Sequence, residues 1–284
     1  MGVLDMKKII NALVTPFDDN NHIDYHEIDR LLLLAKENCN DALVVCSTTG
    51  EGTLLTQEEK IDCFKYVLNN TDLPCIYPIN QMSFDGAKKE VELTKDLNFD
   101  TYLIVTPFYV KPSQEGLFIF FKELAKVAYP KKIIIYNVSS RTGVNISYFT
   151  IRKLIKSSAN IVGIKECSSD FNLLKLLKTN FPKFHVYLGE DSYFYEGLEC
   201  NVDGFISVIS ILYGKMMKEV IEDYQVGFTN QITISYLKLV CEIIFSYSNP
   251  IGIKSLLSRK GYSSMNLRLP LVAINTKNTS FDLL

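Results

Sequence analysis

Short, nearly continuous apolar runs alternate with longer stretches in which apolar positions recur at helical spacing. The runs are Ile9–Phe17, Asp41–Ser47, Pro74–Asn80, Thr101–Pro107, Lys132–Val138, Ile161–Glu166, His185–Gly189 and Gly204–Ile209. Runs this short and this apolar predict strands covered on both faces. The stretches between them predict amphipathic helices, among them Tyr25–Glu37, Gln57–Leu68, Phe84–Leu97, Gln114–Ala128 and Ser147–Lys156. Thr56 before Gln57-Glu58-Glu59, and Ser113 before Gln114-Glu115, are good N-caps.

Repeated strand–helix alternation with short loops predicts parallel β/α units. An open, doubly wound sheet is the structural competitor. That fold usually carries a Gly-rich phosphate turn after its first strand, and Val14-Thr15-Pro16-Phe17 has none. The expected fold is therefore α/β, a (β/α)8 TIM barrel with a C-terminal helical extension. After Ile211 the strand signal stops, and Tyr213–Tyr224, Gln231–Ser246 and Ile251–Lys260 read as helices. The expected organisation is a barrel catalytic domain over residues 1–227 and a helical extension over 228–284. The ends, Met1–Asp5 and Asn275–Leu284, are expected to be disordered and frayed.

Composition narrows the function. The chain has 284 residues, 47% of them hydrophobic, enough for one large core. A net charge of −2 gives no sign of a nucleic-acid surface. There is no apolar stretch of about 18 or more residues and no secretory signal, which favours a cytoplasmic protein without membrane contact. The seven cysteines include no C-x-x-C pair, which argues for reduced, mostly buried thiols and against a zinc site. His22, His26 and His185 are the only histidines, so a histidine metal site or a Ser-His-Asp triad is hard to assemble. His22 and His26 share i,i+4 spacing but straddle a loop-to-helix entry, and solvated surface is the better reading. No metal and no cofactor are expected.

In such barrels the chemistry lies at the C-terminal ends of the strands. There the sequence places Thr48-Thr49-Gly50, Phe108-Tyr109, Tyr136 to Gly143, Lys165-Glu166, Gly189-Glu190 and Gly204 to Ser207. Lys165 is the most informative. An ammonium in an apolar strand is costly unless paired, and burial is expected to lower its pKa. A neutral amine is the nucleophile that forms an imine with a ketone. A structural lysine paired to Glu166 is the bland alternative, although neighbours on a strand point to opposite faces. Tyr136 can shuttle a proton to a carbinolamine, or be a core tyrosine with a satisfied hydroxyl. Thr48 and Thr49 suit a carboxylate, or form an ordinary turn. Arg141, in a loop before Gly143, offers a carboxylate fork, or is a surface arginine. A glycosidase pair drawn from Glu51, Glu166 and Glu190 is the rival chemistry, and it leaves Lys165 unexplained.

These strand ends, in order, resemble the dihydrodipicolinate synthase / N-acetylneuraminate lyase family. The similarity runs from Leu13-Val14-Thr15-Pro16-Phe17 to Leu267-Arg268-Leu269-Pro270-Leu271 and is most specific at Thr106–Gly116, Tyr136–Gly143 and Gly163-Ile164-Lys165-Glu166. The resemblance implies a class I, Schiff-base condensation of pyruvate with aspartate semialdehyde, in diaminopimelate and lysine biosynthesis. By the same resemblance Lys165 is the Schiff-base lysine and Tyr136 transfers protons above the imine. Thr48 relays between Tyr136 and Tyr109, the latter reaching in from a neighbouring subunit of a homodimer or homotetramer. Thr48 and Thr49 hold the pyruvate carboxylate, Gly189 and Ile206 line the site, and Arg141 holds the carboxylate of the aldehyde acceptor.

Ser140-Arg141 is synthase-like, whereas the sialic acid lyases of the family resemble each other in lacking that arginine. An N-acetylneuraminate lyase or a 2-keto-3-deoxy sugar acid aldolase is the alternative enzyme, and a non-catalytic metabolite sensor the alternative class. Ser47, Ser139 and Glu190 depart from the family pattern, with Ser139 expected to loosen the loop that carries Arg141.

Overall fold

The computed structural model describes residues 7–274 and 280–284. Eight strands, β1 (Lys8–Ala12), β2 (Ala42–Val44), β3 (Cys75–Ile79), β4 (Thr101–Val105), β5 (Lys132–Asn137), β6 (Ile161–Glu166), β7 (His185–Leu188) and β8 (Gly204–Ser207), form one closed barrel in sequential order. The paired strands run parallel. The TIM barrel expected from the alternating pattern is therefore present. Helices α1 (Tyr25–Glu37), α2 (Gln57–Asn70), α3 (Phe84–Thr94), α4 (Gln114–Ala128), α5 (Ser139–Thr142), α6 (Tyr148–Ser157), α7 (Phe171–Asn180), α8 (Phe194–Glu199) and α9 (Ser210–Gln225) separate or follow the strands. Then come α10 (Gln231–Phe245) and α11 (Ile251–Arg259). No described helix is long and apolar enough to cross a membrane.

Contacts divide the chain into two compact units. One is centred on Cys75–Ile206, and the other comprises Lys8–Pro74 with Ser207–Leu284. In the first, Tyr102, Ile104, Ile133, Ile135, Ile164 and Val186 are buried. The register between β5 and β6 shifts between Ile133 and Ile134, so Val162 has no partner there while Tyr136 pairs with Lys165 and Asn137 with Glu166. In the second, Ile9, Leu13, Ile28, Leu31, Leu43, Phe64, Leu237 and Leu257 are buried.

The caps read from sequence are made. Thr56 accepts from the Glu59 N–H, and the Thr56 N–H donates to Glu59 Oε2 at 2.8 Å, completing a capping box. Arg268 adds a fork to the same carboxylate at 2.6 and 2.7 Å. Its side-chain hydrogen bond is the main reason the Glu59 pKa falls to about 2. The unfolded chain therefore takes up a proton before the folded one. The contribution of this pair is complete above about pH 4.5 and is lost as the pH falls toward about 2. Glu59→Gln should flatten that acid limb in a series of thermal melts. Equal steepness in the two proteins would show that the pair does not set it.

At the C-terminal end, Ser280–Leu283 forms a 3-10 turn with Phe281 only 2% exposed and stacked on Tyr247 at 6.2 Å. The fraying expected there is thus corrected for residues 280–284, which are held by the Phe281 ring, an Arg259–Asp282 ion pair and the bond from Lys260 Nζ to Leu284 O. Met1–Asp5 and residues 275–279 lie outside the described residues. His22 and His26 are exposed, His22 beside Asp18 at 3.5 Å, as expected of a solvated pair. None of the seven cysteines forms a disulfide, and five are buried. Among the described residues no cluster of His, Cys, Asp and Glu could hold a metal ion.

Candidate active site

Strand alternation builds the centre of the site. Tyr136 and Lys165 are register partners on β5 and β6, so their side chains leave the sheet on the same face. Lys165 is 5% exposed, Tyr136 4%, and the Lys165 Nζ lies 4.4 Å from the centre of the Tyr136 ring. Cys167, two residues beyond Lys165, hydrogen-bonds Tyr136. Gly189, at the end of β7, completes the enclosure. A Cβ there would overlap Lys165 Cε and Cys167 Sγ, so only glycine leaves room for the lysine chain.

The electrostatics differ from the sequence expectation. Desolvation does act to lower the Lys165 pKa, but Tyr136, Cys167, Asp191 and Glu190 together outweigh it and leave the pKa raised. Burial pushes the Cys167 thiol up to about 12, so it is neutral at pH 7.

Asn137 and Glu166, the next pair along the same strands, face the other way. Asn137 Nδ2 donates to Glu166 Oε2 at 2.7 Å, and Asn137 Oδ1 accepts from the Ile146 N–H at 3.2 Å. Glu166 is fully buried, and burial raises its pKa against the pull of Asn137. A Lys165–Glu166 ion pair, the bland reading of Lys165, is not formed.

The connection after β5 is the one-turn helix α5. The Arg141 and Thr142 N–H groups donate to Val138 O at 2.9 and 3.0 Å, and Gly143 ends the turn at φ 70°. Ser139 occupies the first helical position, where proline and serine both fit. The loop expected around Arg141 is a helical turn closed by these backbone bonds. Arg141 is exposed on it. Tyr109 is 84% exposed at φ 67°, and its N–H donates to Thr142 O at 3.3 Å, which ties it to α5. Ile206 is buried on β8.

In the other unit, Thr48 is half-buried and Thr49 is 2% exposed. Their turn is closed by Glu51 N–H to Thr48 O at 3.2 Å and Gly52 N–H to Ser47 O at 2.9 Å. Ser47, where the family pattern has glycine, is therefore accommodated in an ordinary hydrogen-bonded turn. Lys165 lies against both Tyr136 and Gly189, whereas Arg141 and Tyr109 stand on the connections after β5 and β4. Sequence reasoning misses Cys167 and Asp191 as neighbours of the lysine. Cys167 is recoverable from its i+2 spacing along the strand direction, Asp191 only from its place beyond β7.

The Dihydrodipicolinate synthetase family is matched over residues 5–281. The 4-hydroxy-tetrahydrodipicolinate synthase of Desulforamulus reducens is 33% identical over 98% of this chain and 95% of the relative. That of Bacillus subtilis is 32% identical over 95% of both chains. A crystal structure of dihydrodipicolinate synthase from Thermotoga maritima superimposes with a TM-score of 0.90 at 31% identity, covering 96% of this chain and 95% of that one. With the barrel, the buried lysine and the tyrosine above it already in place, these matches show that the chain belongs to the dihydrodipicolinate synthetase family.

Proposed function

We propose that this protein is a lyase that condenses pyruvate with aspartate semialdehyde to 4-hydroxy-tetrahydrodipicolinate, in diaminopimelate and lysine biosynthesis. The observation that carries the reading is the buried Lys165 Nζ, 4.4 Å above the Tyr136 ring at the end of adjacent strands.

Lys165, once deprotonated, attacks the C2 carbonyl of pyruvate. Water leaves and an imine forms, with Tyr136 moving protons to and from the carbinolamine oxygen. Loss of a proton from the pyruvate methyl gives an enamine. Its C3 attacks the aldehyde carbon, and the aldehyde oxygen takes up a proton. The acceptor's amine then attacks the imine carbon, closes the ring and displaces Lys165. Pyruvate and aspartate semialdehyde are thus joined with net loss of one water.

Thr48 and Thr49 bind the pyruvate carboxylate, and Thr48 relays between Tyr136 and Tyr109. Gly189 and the Ile206 carbonyl line the cavity, and Arg141 takes the acceptor carboxylate through a bidentate fork. The exposure of Tyr109 in the single chain supports its service to a neighbouring subunit, in a homodimer or homotetramer. Residues 1–227 act as the catalytic barrel and 228–284 as the helical extension. No cofactor is needed, because an imine supplies the electron sink.

The test is condensation of pyruvate with aspartate semialdehyde, coupled to a reductase that consumes NADPH. Robust turnover is expected. Absence of turnover, with pyruvate still trapped on the protein by borohydride, would move the acceptor to a sugar or keto acid. Absence of both would remove the imine mechanism.

A further inference from the structure

The threonine turn is held by a segment about two hundred residues further along the chain. Asn249 Nδ2 donates to Thr49 Oγ1 at 3.0 Å. Asn249 precedes α11, which carries Lys254. Lys254 Nζ donates to Glu51 Oε1 at 2.6 Å and to Thr15 O at 2.8 Å. The Thr15 hydroxyl donates to Gly50 O at 2.7 Å, and the Arg268 N–H donates to Glu51 Oε2 at 2.9 Å. The backbone of Thr49-Gly50-Glu51 is thus fixed by its own unit, with Glu51 at φ 54°.

A hydroxyl carries one proton and two lone pairs. One that accepts from an amide N–H still has its proton to give. Among the described residues the Thr49 hydroxyl donates to no protein acceptor, and Thr49 is 2% exposed, so bulk water competes weakly for it. An unspent, oriented donor in a buried turn beyond β2 suits an anion, and most of all a carboxylate oxygen.

We propose that Asn249 is a positioning residue that holds the Thr49 hydroxyl as a hydrogen-bond donor to the carboxylate of the 2-oxo acid substrate. The proposal rests on the reading that Thr49 binds that carboxylate. Asn249 touches no reacting atom. It sets which way one proton points, and it does so from the segment that follows the barrel.

The test compares Asn249→Ala, Asn249→Asp, Thr49→Val and the double variant Asn249→Ala/Thr49→Val. The KM for pyruvate, the KM for the acceptor, kcat and Tm are measured for each. Asn249→Ala should raise the pyruvate KM roughly five-fold, the scale of one hydrogen bond. Asn249→Asp should raise it at least about ten-fold, because its carboxylate takes the Thr49 proton and adds a negative charge behind the turn. The acceptor KM should change less than about two-fold in both. In the Thr49→Val background, Asn249→Ala should have no further effect on the pyruvate KM, because the partner of the interaction is gone. This arm stands even if the aspartate variant does not fold. Equal effects of alanine and aspartate, or an undiminished effect of alanine beside valine, would make Asn249 a packing residue and overturn the proposal. If Thr49→Val leaves the pyruvate KM unchanged, the carboxylate reading itself fails.

Discussion

Lys165→Ala should reduce condensation by at least about a thousand-fold, the low end of what loss of an activated nucleophile costs. Borohydride should trap no pyruvate on the variant. Its Tm should stay within a few degrees of the parent, because the substitution removes a buried ammonium as well as its packing. Residual turnover above about one per cent would show that Lys165 is not the nucleophile. A second consequence follows from the raised Lys165 pKa. The free-amine fraction grows as the pH rises above 7, so kcat/KM for pyruvate should climb on that side. A profile flat from pH 7 to 9 would mean that the amine is already neutral at rest.

Lys254→Met should destabilise the protein more than Lys165→Ala, Asn249→Ala or Glu59→Gln. Lys254 and Glu51 form an ion pair at 2.6 Å with both side chains fully buried, and the ammonium also lies 4.4 Å from the Phe17 ring. Removing one partner leaves a fully buried carboxylate without its paired ammonium, which costs about 3–5 kcal/mol. For a chain of this size that corresponds to a fall in Tm on the order of 10 °C. The double variant Glu51→Gln/Lys254→Met should recover most of the loss, since it removes both charges together. A Lys254→Met protein that melts with the parent would show the pair to be dispensable. The variant should also raise the pyruvate KM, because Glu51 closes the turn that carries Thr48 and Thr49.

Much of the architecture is legible because each strand is an apolar run bounded by polar residues. β6 occupies Ile161–Glu166 as its run predicts, and α1 and α4 keep their expected bounds. Other runs overshoot. Asp41–Ser47 reads as one strand, but β2 is Ala42–Val44 and Cys46 turns the chain at φ 60° while remaining buried. Hydrophobicity reports burial there and says nothing of the turn. α5 is too short for any periodicity, and Gly143 is its only trace. The site is legible as a set of strand ends. Its electrostatics are not, because Asp191 and Glu190 approach Lys165 from the connection after β7. The bonds from Asn249 to Thr49 and from Lys254 to Glu51 span 200 and 203 residues, and no local pattern encodes them.

Arg141 stands exposed on a four-residue turn closed by backbone hydrogen bonds, whereas Lys165 and Tyr136 are set in the sheet itself. On the proposed mechanism, selection can therefore act on the two halves of the reaction separately. Side chains at 139–141 would be exchanged for others that greet a new aldehyde, with the proposed nucleophile left undisturbed. A laboratory seeking other carbon–carbon bonds from the same donor would randomise that turn first and leave the strands alone.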